Sequence, residues 1–224
     1  MDPKLKYPLP DGISRHTLKV EQTARWFHIG TPPDSCRKIV IALHGYGQHP
    51  AYMLDGLKPL SQEELCIAAP EGLSRFYIRG TDGRVGASWM TRDERLSDIE
   101  DHISYLNHWW SSLGVPSDAE IVVLGFSQGV ATAARWLADG FAADFVIFHS
   151  GTIPPEWHDI APTFNEKITK WISIRGEDDK IYPKENHEEA ATLFGSIGLN
   201  FEYLTVKGGH KMNTEYLEQY LKLK

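Results

Sequence analysis

The chain has 224 residues, 42% hydrophobic and 11% aromatic, enough apolar mass for one sizeable core and too much for a disordered polymer. Its formal charge of −7, with acids clustered at 93–101 and 177–189 and no run of lysine or arginine, argues against a nucleic-acid-binding protein. Two cysteines make neither a disulfide framework nor a metal cluster, no 18 apolar residues run together, and the first six residues lack the apolar core of a secretory signal, so a cytoplasmic one-domain protein is expected.

In chain order, strands are expected at 16–20 and 23–29, too close together for a crossover and therefore paired as an antiparallel hairpin. Further strands are expected at 38–44, 65–69, 120–125, 144–149, 169–175 and 201–206. Two of these are apolar without alternation, Ile39-Val40-Ile41-Ala42-Leu43 and Phe145-Val146-Ile147-Phe148. Strands of that kind are covered on both faces, which marks a parallel sheet. Helices are expected at 50–58, 92–113, 127–139, 184–195 and 213–222. The longest carries Leu96, Ile99, Ile103, Leu106, Trp110 and Leu113 at helical spacing and stops at Gly114, with Pro116 beyond. Alternating strands and helices predict an α/β fold: a doubly wound, mostly parallel eight-stranded sheet with helices on both faces. No cap domain is expected, because only residues 150–168 separate two strands where one would be inserted, and Pro154, Pro155 and Pro162 stiffen them.

Function is read from Gly125-Phe126-Ser127-Gln128-Gly129, a GxSxG pentapeptide between a strand and a helix. A turn this tight lifts one serine hydroxyl out of the fold, and the two glycines remove the side chains that would obstruct it. A serine hydroxyl needs a base and a group that orients the base. In parallel sheets, sites lie beyond the carboxyl ends of the strands, so polar residues just after strands are the candidates. His210, in Lys207-Gly208-Gly209-His210, is the candidate base; His44 and His149 also end strands but are better read as locally hydrogen-bonded. Glu177, Asp178 and Asp179 all qualify as the acid, and any of them completes the order serine, acid, histidine. The turn His44-Gly45-Tyr46-Gly47 can direct backbone N–H groups at a ligand, so the N–H groups of Tyr46 and Gln128 are the candidate oxyanion hole.

These residues resemble the phospholipase/carboxylesterase branch of the α/β-hydrolases, the acyl-protein thioesterase-like serine esterases. The resemblance runs from about Lys38 to His210 and rests on Leu43-His44-Gly45-Tyr46-Gly47, Ala69-Pro70-Glu71-Gly72, Ser88-Trp89, the pentapeptide, the 176–183 loop and His210. It implies a serine hydrolase of carboxylic esters or thioesters, working through an acyl-enzyme without metal or cofactor on a small or lipid-like acyl substrate. The family acid precedes a proline by four residues, which selects Asp179 ahead of Pro183. It also implies Trp89 as a wall of the substrate site, with core packing the alternative. Lysophospholipase or protein deacylase activity, or a ligand-binding relative without catalysis, are the competing functions. The segment from Pro70 to Trp89 departs from the thioesterase pattern.

Overall fold

Strands without alternation must be sandwiched between two layers, and the sheet is built that way. The structure is a computed structural model that describes residues 9–154, 156–157, 168–196, 198–199 and 201–221. Its strands are β1 (Trp26–Gly30), β2 (Lys38–Leu43), β3 (Leu65–Pro70), β4 (Ser74–Tyr77), β5 (Val85–Ser88), β6 (Glu120–Phe126), β7 (Phe145–His149), β8 (Lys170–Gly176) and β9 (Phe201–Val206). The α-helices among the described residues are α1 (Pro50–Leu57), α2 (Arg95–Ser112), α3 (Gln128–Ala138), α4 (Lys184–Ser196) and α5 (Thr214–Leu221).

Seven strands form the main sheet in the order β1-β3-β2-β6-β7-β8-β9. Only β1 runs antiparallel, against β3; every other pairing is parallel. Side chains alternate across each strand, so β2 sends Ile39, Ile41 and Leu43 to one face and Val40 and Ala42 to the other. The first face packs against Leu106 and Trp109 of α2, Val130 and Ala134 of α3, and Phe194 of α4. The second packs against Met53, Leu54 and Leu57 of α1, and Leu217 and Leu221 of α5. Each such fully buried aliphatic or aromatic side chain contributes about 1.5–3 kcal/mol, so the two layers hold the strand ends firmly in register.

Two features differ from the sequence expectation. The main sheet has seven strands, not eight: residues 16–20 form no strand, and Leu18 and Val20 there are 86% and 76% exposed. The connection that would close the expected hairpin is Glu21-Gln22, which lacks the glycine or asparagine of a two-residue turn, and β1 pairs with β3 instead. The second feature is an unexpected antiparallel ribbon, β4–β5, joined by a turn containing Gly80-Thr81-Asp82-Gly83. Its sequence signal is Phe76-Tyr77-Ile78 and Val85 on either side of that glycine-flanked turn.

Helix α2 also starts later than its periodicity suggests, because Glu94 takes a left-handed φ of 53° just ahead of it. The stretch expected to be too short for a cap lies largely outside the described residues, at 155 and 158–167. No helix among the described residues is long and apolar enough to cross a membrane.

Candidate active site

Strand β6 ends at Phe126 and α3 begins at Gln128, leaving Ser127 alone to make the turn. It does so with φ 53° and ψ −117°, a region otherwise left to glycine and worth about 1–3 kcal/mol of strain. Packing on both sides enforces it. A Cβ on Gly129 would lie 2.0 Å from the Leu43 carbonyl oxygen, and one on Gly125 would lie 2.7 Å from the Gly129 carbonyl oxygen. The Ser127 N–H is anchored on the His149 carbonyl at 2.9 Å. The strain therefore holds the hydroxyl proud of the sheet edge.

The loops after β8 and β9 bring the other two groups to it. Ser127 Oγ lies 3.0 Å from His210 Nε2. His210 Nδ1 lies 2.8 Å and 3.0 Å from the two Asp179 carboxylate oxygens. Asp179 is buried, whereas Glu177 and Asp178 are exposed and point no carboxylate at the histidine. The same Asp179 Oδ1 accepts the N–H groups of Ile181 at 2.9 Å and Tyr182 at 2.8 Å. Burial disfavours the Asp179 charge, but hydrogen bonds from the Tyr182 N–H, His210 and the Ser150 hydroxyl outweigh it. They hold the carboxyl below the usual aspartate range. With the carboxylate ionised, Nδ1 of His210 carries the proton and Nε2 offers its lone pair to Ser127.

A second layer stands behind these three residues and was not visible in the sequence. His149 is fully buried, and burial, with the His210 ring nearby, pushes its pKa down to about 4. It is neutral: Nε2 accepts the Asn213 N–H at 3.0 Å, which leaves the proton on Nδ1, 3.2 Å from Ser150 Oγ. The Ser150 hydroxyl in turn favours the charged form of Asp179. Ser150 has a left-handed φ of 52° and is 1% exposed. The only sequence signal was its place one residue beyond a strand end. Its partner across the sheet could not be read from spacing.

The front of the site is the turn after β2. Gly45 donates to Gln48 Oε1 at 2.7 Å and Gly47 to the Ala87 carbonyl at 2.9 Å, which leaves the Tyr46 N–H between them without a protein acceptor among the described residues. The Gln128 N–H opens α3 and has no intrahelical acceptor. The Gln128 side chain faces the other way, donating to the Met90 carbonyl at 2.8 Å and accepting the Trp89 N–H at 3.1 Å. Trp89, expected from the resemblance to wall the substrate site, is 2% exposed. Its indole N–H donates to the His44 carbonyl at 2.9 Å, and its ring packs on His44 and His102. It is a core side chain under the turn. His44 is fully buried and locally satisfied: Nδ1 meets the Gly45 carbonyl at 2.8 Å and Nε2 accepts the Gly72 N–H at 2.9 Å. Burial lowers its pKa to about 4, against the Gly45 hydrogen bond and Glu71, which favour the charged ring.

Solved structures with this fold include esterase PE8, at 21% identity and a TM-score of 0.68, aligned over 89% of this chain and 97% of the other. Acyl-protein thioesterase 2 of Zea mays superposes with a TM-score of 0.66 at 17% identity, over 89% and 96% of the two chains. A phospholipase/carboxylesterase of Dyadobacter fermentans DSM 18053 superposes with a TM-score of 0.62 at 16% identity, over 91% and 98%. Identities this low establish the shared α/β-hydrolase-type fold. No curated protein matches the sequence. The sequence profile of the FSH1 serine hydrolases matches residues 35–215, from just before β2 into α5 and across the whole of the site. The chain belongs to the FSH1 family of serine hydrolases, and it is a hydrolase.

Proposed function

We propose that the protein hydrolyses carboxylic esters through an acyl-enzyme formed on Ser127. The observation that carries this reading is the unbroken hydrogen-bonded chain Ser127–His210–Asp179, with its hydroxyl on a strained turn. His210 Nε2 takes the Ser127 proton as Oγ attacks the ester carbonyl, and Asp179 holds the imidazole in the required tautomer and steadies the imidazolium that forms. The carbonyl oxygen, now an oxyanion, is received by the N–H groups of Tyr46 and Gln128, which need no reorganisation to meet it. The proton on His210 passes to the departing alcohol. Water then repeats the sequence: its oxygen attacks the acyl carbon as His210 takes its proton, the acyl–Oγ bond breaks as His210 returns that proton to Oγ, and the acid leaves.

Thioesters are a second substrate class, favoured by the structural likeness to an acyl-protein thioesterase. A thiolate departs without the protonation that an alkoxide needs, so the same residues serve both. A fluorophosphonate probe tests the reading directly: mass mapping of the labelled protein is expected to place the adduct on Ser127. A label on another serine, or none on folded protein, overturns it.

A further inference from the structure

The segment where the sequence departs from the thioesterase pattern is the segment that forms the β4–β5 ribbon, and the ribbon lies against the turn in front of Ser127. Two backbone hydrogen bonds cross this contact, Gly47 N–H to the Ala87 carbonyl at 2.9 Å and Ala87 N–H to the Gln48 carbonyl at 3.1 Å. Gly86 packs so tightly that a Cβ on it would lie 2.1 Å from the Gly47 carbonyl oxygen, and the ring of Phe76, opposite it, packs at a tilt of 34° on Tyr46 with centroids 5.1 Å apart. One face of the ribbon is thus pressed onto the turn. Two residues further along that face come Ile78 and Arg84, themselves paired through the Ile78 N–H and the Arg84 carbonyl. With His49, Tyr52, Met53 and Val85 they line a cavity of about 230 Å³ whose floor is Gly47 and Gln48.

The charge of the ribbon is out of character with the chain, and one of its three arginines, Arg84, lines the cavity. The protein carries −7 overall, yet residues 74–88 hold Arg75, Arg79 and Arg84 against one acid, Asp82. Several other arginines sit on carboxylates: Arg25 on Glu71, Arg37 on Glu64, and Arg95 and Arg135 on Glu156. The Arg84 guanidinium has no hydrogen bond or ion pair among the described residues. A guanidinium at the end of an apolar slot is suited to a carboxylate or phosphate, which it can grip through two parallel N–H donors. The volume is below the roughly 300–1,000 Å³ of sites for drug-sized ligands, so it suits a short arm.

We infer that the cavity between the ribbon and α1 is a subsite for an anionic group of the substrate, with Arg84 as its specificity-determining residue. Met53, Ile78 and Val85 take the apolar spacer and Arg84 takes the terminal oxyanion. This deepens the ester-hydrolase reading and rests on it: the preferred ester or thioester bears a carboxylate or phosphate a few bonds from its scissile carbonyl.

The test is kcat/KM for matched nitrophenyl esters, neutral straight-chain acyl groups against ω-carboxylated ones of the same length, with a parallel pair whose leaving alcohol does or does not carry phosphate. The wild-type protein is expected to prefer an anionic member by about tenfold, and the pair that shows the preference tells carboxylate from phosphate. Arg84→Gln should abolish that preference while changing neutral-ester turnover less than about twofold; Arg84→Lys should keep part of it. Raising salt from about 50 mM to about 0.5 M should shrink it, since the guanidinium is exposed. A second readout does not depend on turnover: calorimetric titration of glutarate and of glycerol phosphate into wild-type and Arg84→Gln protein, with binding expected only to the first. Absence of preference in every pair together with absence of binding overturns the subsite, as does equal loss on neutral and anionic esters in Arg84→Gln. Binding that depends on Arg84 in a protein that cleaves none of the esters would retain the subsite and remove the ester reading instead.

Discussion

Behind the Ser127 hydroxyl, Asp179, His149 and Ser150 are each at most 3% exposed, and every polar side-chain atom among them has a hydrogen-bond partner. In front of it, Tyr46, Tyr52, Tyr77 and Ile78 are between 48% and 69% exposed, and the Arg84 guanidinium has no partner among the described residues. The back wall is fixed by three strand ends of one sheet, which share buried layers and cannot move separately. The front wall is a two-stranded ribbon resting on a turn, and ribbons of two strands are marginally stable alone. Proton transfer demands a geometry held to fractions of an ångström, whereas recognition tolerates an adaptable surface. The proposed division of labour rests on this contrast: chemistry at the back, choice of substrate at the front.

The sharpest way to break this division is to remove the groups assigned to chemistry. Ser127→Ala should lower ester turnover by at least about 10³-fold with the fold intact, because residual rates in such sites come from the oxyanion donors and binding alone. A folded variant with more than a tenth of wild-type turnover would place the chemistry elsewhere. Asp179→Asn should cost about 10²–10⁴-fold by presenting the wrong imidazole tautomer. Its exposed neighbours supply the control: Asp178→Asn and Glu177→Gln should each cost less than about tenfold, and a larger loss for Asp178→Asn than for Asp179→Asn would remove Asp179 from its role.

Both walls share a liability to acid. His44 in the front turn, His102 under Trp89 and His149 in the back wall are all buried, with pKa values lowered to about 4, each chiefly by burial. In the unfolded chain they take protons near 6.5, so between about 6.5 and 4 the unfolded state binds more protons than the folded one. The stability they contribute is therefore complete above about pH 6.5 and falls as pH drops through that window. At pH 5 the loss is about 2 kcal/mol for each histidine. Denaturant titrations at pH 7 and pH 5 should show it. Unchanged stability would mean that these rings are charged when folded.

Within the back wall, Ser150 is expected to act through Asp179. Removing its hydroxyl in Ser150→Ala takes one of several donors from a carboxylate that keeps Tyr182, Ile181 and His210. The result should be a loss of about tenfold in kcat with KM unchanged, the pattern of a group that matters only as charge develops. Ser150→Gly relieves the left-handed φ yet lacks the hydroxyl, so it separates strain from hydrogen bonding. If Ser150→Gly is as active as wild type, the hydroxyl contributes nothing.

What could be read from the sequence follows the same line between walls. Parallel strands announce themselves by unbroken apolar runs, and Ser127, His210 and the acidic loop follow from position at strand ends; all of these are local signals. Choosing Asp179 over its two acidic neighbours needed the family pattern, because which of three adjacent carboxylates is buried depends on how the loop folds back beneath Tyr182. Ser150 carries only the local signal of standing one residue beyond a strand end, and its partner lies 29 residues on, across a strand pairing. Residues 16–20 alternate like a strand but find no second surface on which to bury Leu18 and Val20. The β4–β5 ribbon was hidden for the opposite reason: two four-residue strands, one holding Arg75 and joined by a connection with Arg79 and Arg84, do not look apolar, and contact with the 45–48 turn holds them in place.

The smallest effect is expected where the ribbon meets the turn. Phe76 packs at a tilt on Tyr46, whose N–H is one of the two proposed oxyanion donors, and such an aromatic pair is worth about 0.5–1.5 kcal/mol. Phe76→Ala removes this contact but leaves the backbone hydrogen bonds of Gly47 and Ala87 that dock the ribbon. The Tyr46 peptide then keeps its position on average and loses only part of its restraint. Turnover of a neutral ester should fall about threefold, because a donor that wanders spends less time aimed at the oxyanion, and Phe76→Leu should recover most of the loss by refilling the space. Steady-state kinetics on the three proteins decides the matter. A fall beyond about a hundredfold in Phe76→Ala would show the front wall to be as tightly coupled to the chemistry as the back, and the contrast between them would not stand.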